Sequence, residues 1–146
     1  MARPDNVTPL RPRRRPRRGL DLRAPRSQVL LVHVLTGVTF ATFYFATGAF
    51  EYIAMALGVA AIAIAAGRRR EGMPWACTHH EFALRTLLFG GVAWVLVRLA
   101  SLIPMIGAYQ LYAIWAICGW VALRVLWGFS RGVLRLPIHR PLTPLI

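Results

Sequence analysis

The sequence predicts an all-α fold: an integral membrane four-helix bundle of two helical hairpins, preceded by a disordered Arg-rich N-terminal tail. Three observations carry this expectation. Of the 146 residues, 57% are hydrophobic, and they collect in long blocks. A soluble domain scatters a share of about 45–50% through its length, and one soluble core of this size could not bury such blocks, whereas a bilayer can. All eighteen basic residues are arginine, against five acids, for a formal charge of +13. Finally, the arginines sit almost wholly between the apolar blocks rather than within them.

Residues 1–27 hold nine Arg and two Asp together with several prolines. Proline removes helix donors and like charges repel, so this basic cytoplasmic tail is expected to be disordered. Its cluster of Arg13, Arg14, Arg15, Arg17 and Arg18 stands where anionic lipid headgroups attract each side chain by about 1 kcal/mol. The apolar run that follows far exceeds the core of a signal peptide and lacks a small-residue cleavage site, so the segment reads as retained.

The transmembrane domain is expected over 28–129. Residues 29–66 as one helix would be about 57 Å long at ~1.5 Å per residue, nearly twice the hydrocarbon thickness of ~30 Å. The run must therefore fold back, near 47–51 where Gly48 and Glu51 supply flexibility and charge. This places helices near 29–47 and 51–67. In the second, Ala54 with Gly58 and Ala56 with Ala60 have the small-x-x-x-small spacing that permits close helix contact.

A polar loop over 67–81 carries Arg68, Arg69 and Arg70, three further candidates for headgroup contact. The third helix is expected over 82–103 with a bend at Gly90–Gly91. Pro104 and Gly107 mark a tight turn before a fourth helix over 108–127. Its continuation to about 136 spaces Arg124, Arg131 and Arg135 on one side, as in a helix emerging into headgroups. Residues 130–146 read as an interfacial, then extended, cytoplasmic segment.

Seventeen of the eighteen arginines then fall on one side of a four-span arrangement, and neither opposite turn contains any. The positive-inside rule puts both ends in the cytoplasm of a bacterial inner membrane. It also explains the basic pI without nucleic acid, whose tethering by residues 1–27 stays the lesser reading.

Few residues could carry chemistry. Arg98 lies about 24 Å from the inner end of the third helix at ~1.5 Å per residue, where a charge must snorkel or pair. Glu51 is the candidate structural ion-pair partner. His33 is followed by Thr36, Thr39 and Thr42 at intervals of three. This is either a polar path for protons or a small solute, or a set of hydroxyls bonded to their own helix. The stretch Cys77-Thr78-His79-His80-Glu81 gathers metal-ligand types, but no second cluster completes a four-ligand site. It reads better as a capping box, with Thr78 as N-cap and Glu81 three residues on. Cys77 and Cys118 are expected as free thiols. No G-x-S-x-G, H-E-x-x-H or phosphate loop occurs and both aspartates lie in the tail, so neither an enzyme nor a cofactor or metal is expected.

The segment His80-Glu-Phe-Ala-Leu-Arg85-Thr86, with Trp127-Gly128, Arg131-Gly132 and Pro137-Ile-His-Arg-Pro141-Leu-Thr143, resembles a family of small bacterial inner-membrane proteins. The family's motifs are S-H-aromatic…I-R-T-F-W, W…R…G and P-I-P-x-P-x-T. It is distantly similar to the small channel-like subunit of the chloroplast inner-envelope import apparatus. The resemblance spans roughly 29–146, with His79 in place of the motif's serine and Leu87-Leu88 in place of its aromatic pair. It makes His80, Arg85, Thr86 and Pro137 the characteristic residues and implies four helices with cytoplasmic ends, without implying an activity.

These readings converge on a non-enzymatic inner-membrane accessory or assembly subunit packing against a larger membrane complex and contacting anionic lipid. The alternative is a small homo-oligomeric carrier or channel lined by His33, the threonines and Arg98.

Overall fold

A computed structural model describes residues 24–45, 48–68, 70 and 73–139. Among these the regular structure is all helical, without strands: α1 (Pro25–Phe45), α2 (Ala49–Arg68), α3 (Pro74–Ala100), the single turn α4 (Pro104–Gly107) and α5 (Gln110–Val133). The four long helices are each long and apolar enough to cross a membrane. The tail arginines Arg13, Arg14, Arg15, Arg17 and Arg18, and Arg69 of the loop, lie outside the described residues.

Local chemistry sets the helix ends. Gly48 takes a left-handed φ of 64° and its carbonyl accepts from Glu51 N–H at 3.1 Å, closing the first hairpin where the sequence places it. The third helix departs from expectation. Pro74 occupies its first turn after an extended Met73, a position where a fixed φ and a missing N–H cost nothing. The helix therefore starts eight residues early. Thr78 is no N-cap: it sits inside α3, and its hydroxyl donates to Trp75 O at 2.7 Å. At 27 residues and ~1.5 Å each, α3 is about 40 Å long, longer than a hydrocarbon core of ~30 Å.

The end of α5 is a Schellman motif. Arg135 N–H donates to Gly132 O at 3.2 Å and Leu136 N–H to Arg131 O at 2.9 Å, with Arg135 at φ 56°. Arg135 is thus off the helix and exposed, and Arg124 is 1% exposed inside the bundle. The expected arginine stripe of 124, 131 and 135 does not form.

Around the bundle the order is α1, α2, α3, α5, with α1 and α3 also touching across the diagonal. Cross-helix contacts give the register. His33 meets His79, Phe43 meets Trp94 and Tyr44 meets Trp115, so α1 runs parallel to α3 and antiparallel to α5. One end of the bundle then carries the start of α1, the α2–α3 connection and the end of α5, with exposed Arg26, Arg68, Arg70 and Arg135. This is the basic end.

Small residues draw the helices together. On α2 the buried positions are Ala54, Gly58, Ala61 and Ala65; Ala56 and Ala60 are exposed, so only the first of the two predicted small pairs is an internal contact. A Cβ at Gly58 would lie 3.2 Å from Thr39 Cγ2. The helix α3 is continuous through Gly90 and Gly91, and Gly90 has a packing role. It admits the Phe40 ring, which a Cβ there would overlap.

Candidate functional site

The core of this bundle is unusually polar toward its basic end. His33, Thr36, Thr39, His79, His80, Thr86 and Arg124 are all at most 2% exposed. Their burial follows from one seam. On α5, Gly128 and Gly132 stand one turn apart on the face that also buries Val121 and Arg124. A Cβ at Gly128 would overlap the His33 ring, and one at Gly132 would sit 2.9 Å from Val29 Cγ1. The G-x-x-x-G pair leaves a trough into which α1 lowers an imidazole.

His33 Nε2 lies 3.1 Å from His79 Nδ1, and His79 Nε2 lies 2.9 Å from Leu136 O. A carbonyl can only accept, so His79 carries a proton on Nε2; in the neutral pair its Nδ1 then accepts from His33 Nε2–H. The early start of α3 is what makes this geometry available. On a helix, the adjacent His79 and His80 diverge: His79 turns to α1 and the end of α5, while the buried Nδ1 of His80 has no hydrogen-bond partner among the described residues.

Deeper in the bundle, Arg124 Nε donates to Thr86 Oγ1 at 2.9 Å, and Thr86 Oγ1 donates to Phe82 O at 2.8 Å. The Arg124 guanidinium also lies 3.9 Å from the centroid of the Phe82 ring, a cation–π contact that lowers the cost of burying it. Residues beyond α5 are gathered in at the same end. Ile138 N–H donates to Thr78 Oγ1 at 3.1 Å, Arg131 Nε donates to Pro137 O at 3.2 Å, and Ile138 is 5% exposed.

The sequence-selected residues fall into separate places. Thr36 and Thr39 donate to Val32 O and Leu35 O of their own helix, at 2.8 and 2.7 Å, and Thr42 is half-buried beside the outward-facing Ala41, Phe45 and Phe50. His33 is turned to His79 and stands apart from this file. Arg98 Nη2 lies 3.5 Å from Glu51 Oε1, with side chains 51% and 41% exposed. Arg85 is tied to Glu81 at 2.8 Å across one helical turn. Of the four family-motif positions, Thr86 and Pro137 join the polar seam directly; His80 is buried beside it.

The sequence reading puts His79 in a polar loop, Arg124 on a headgroup-facing stripe and Gly128 and Gly132 in separate motif fragments, and does not bring them together as one seam. Gly128-x-x-x-Gly132 was the available signal, because Arg124 falls on the same helical face one turn before it. Among the described residues no three His, Cys, Asp or Glu side chains converge as a metal site. The cluster is instead a set of short direct hydrogen-bonded groups, His33–His79–Leu136 and Arg124–Thr86–Phe82 among them, that link α1, α3, α5 and the segment after α5. No protein-family model, curated protein or solved structure matches the chain.

Proposed function

We propose that this chain is a non-enzymatic, multi-pass subunit of a bacterial inner membrane that packs against a larger membrane assembly. Both of its ends would lie on the cytoplasmic side. The observation that favours this over a conduit is the closure of its seams. His33 is seated against Gly128, Thr39 against Gly58 and Phe40 against Gly90, each with no space for a methyl group to enter freely. The hydroxyls of Thr36 and Thr39 are already bonded to backbone. A solute path along α1 would have to break these contacts, whereas an accessory role needs only a rigid bundle with apolar outer faces. Such faces are present, as Val92, Leu96, Tyr112, Trp115 and Leu126 are exposed and suit lipid or neighbouring helices.

The basic end is placed at the cytoplasmic surface by the positive-inside rule, where Arg26, Arg68, Arg70 and Arg135 would meet anionic headgroups. The resemblance of the 80–86 and 127–143 segments to the family of small four-helix membrane proteins implies cytoplasmic ends as well and carries no activity of its own. Extraction in mild detergent at native expression, followed by sizing and mass spectrometry, tests it. A defined complex with other membrane proteins is expected. A homo-oligomer alone, with solute flux lost on His33→Ala or Arg98→Ala, would replace this reading with the carrier or channel.

A further inference from the structure

The segment after α5 is held as a peptide ligand is held. Three consecutive residues are captured mainly through their backbone: Leu136 O by His79, Pro137 O by Arg131 and Ile138 N–H by Thr78. The side chain of Ile138 is buried. Main-chain hydrogen bonds with one side-chain pocket are the recipe by which an extended peptide is recognised. Two of the three capturing residues belong to α3, and His33 of α1 holds His79 in place from behind.

The link between α5 and this segment is short and strained. It consists of Leu134 and Arg135, and Arg135 adopts a φ of 56°, a conformation that favours glycine and disfavours other L-residues. Relaxing Arg135 to an ordinary φ would point residues 136–138 away from their own bundle. Short strained hinges are where elements exchange between copies.

We infer that residues 136–138 are an exchangeable strap that seats on the Thr78–His79–Arg131 site of a second copy of this chain, giving a reciprocal dimer. The occupant follows from fit, since the one peptide whose complementarity to the site is displayed is 136–138 itself and every copy carries it. Membrane insertion adds to this. Copies inserted with the same topology present the site and the strap at the same depth and facing the same side, which raises their effective concentration. Exchange moves the Thr78, His79 and Arg131 contacts between chains without requiring a new surface, while the cap bonds of Arg135 and Leu136 N–H at the end of α5 are given up. The inference is independent of the accessory role, because a strap-exchanged pair could serve either within or without a larger assembly.

The test uses the full chain with Cys77→Ser and Cys118→Ala, in lipid nanodiscs or mild detergent. Thr78→Cys is placed in one tagged copy and Ile138→Cys in a second copy of different size, and the two are co-expressed and oxidised. Exchange predicts a disulfide between the two copies, and light scattering should give a dimer. Arg135→Gly, which removes the strain of the unexchanged hinge, should move the dimer–monomer ratio about fivefold toward monomer. Arg135→Val should move it the other way. The double variant Thr78→Cys/Ile138→Cys reports whether the site is occupied at all. An internal disulfide in that variant with none between the mixed copies overturns the exchange. No disulfide of either kind overturns the seated strap as well. A complex with other proteins recovered alongside a monomeric chain would sink this inference and leave the accessory reading standing.

Discussion

His33 of α1 and His79 of α3 are joined ring to ring, Nε2 to Nδ1 at 3.1 Å, in a space that exists because position 128 of α5 has no side chain. Three helices are thereby fixed to one another at a single point. The far nitrogen of His79 carries the connection on to Leu136, so the segment beyond α5 is coupled to the placement of α1. The predictions below probe that coupling and its surroundings.

Glycine seams should respond according to what faces them. Gly128→Ala places a methyl group against the His33 ring, and Gly90→Ala places one against Phe40. Each should destabilise by about 1–3 kcal/mol, the usual cost of overpacking a tight contact. Gly119 faces open space within 4 Å, so Gly119→Ala should stay within about 0.5 kcal/mol of the parent. Thermal or denaturant unfolding in nanodiscs compares the three.

The histidine pair should show energetic coupling. His79→Ala leaves both His33 Nε2 and Leu136 O without their partner, and each stranded buried group costs about 1–3 kcal/mol. His33→Ala strands only the Nδ1 of His79 and opens a void beside Gly128. A double-mutant cycle should give a coupling of about 0.5–3 kcal/mol. A coupling within error of zero would mean that the two rings do not share the bond.

Thr86→Val keeps the volume near Arg124 but removes the oxygen that accepts from its Nε. Hydrogen bonds to charged groups contribute about 1.5–3 kcal/mol, so the loss should fall in that range. Thr86→Ser, which keeps the oxygen, should recover most of it. Equal losses in the two variants would show that the methyl group, and not the hydroxyl, is what matters there.

The Glu51–Arg98 pair should be weak. Its separation is 3.5 Å and both side chains are substantially exposed, and exposed pairs contribute about 0–1 kcal/mol. Glu51→Gln and Arg98→Gln are each expected to leave the bundle folded, with unfolding shifted by less than about 1 kcal/mol. Loss of folding in either variant would show that the pair fastens the two hairpins, as its place between α2 and α3 first suggests.

Much of the architecture was legible because hydropathy and charge act along the chain. Four apolar blocks of spanning length, a reversal at Gly48 and a second turn at Pro104 and Gly107 needed no knowledge of neighbours. The start of α3 differs from the sequence expectation for a local reason. In sequence Pro74 reads as part of a polar loop, although a proline in the first turn starts a helix as readily as it ends one. That single shift placed Thr78, His79 and His80 on a helix instead of before it.

Which stretches leave water and where the backbone can turn follow from the residues one by one, since both depend on each residue's own transfer energy and torsional preference. Which polar side chains meet depends on how the helices pack. Arg124, spaced like its neighbours along the chain, is buried while Arg135 is exposed; His33 bonds to a residue 46 positions away rather than to the threonines beside it. Those outcomes depend on the rotation and depth at which α1, α3 and α5 settle. The missing side chains of Gly90, Gly128 and Gly132 set that depth, through contacts between helices far apart in the chain.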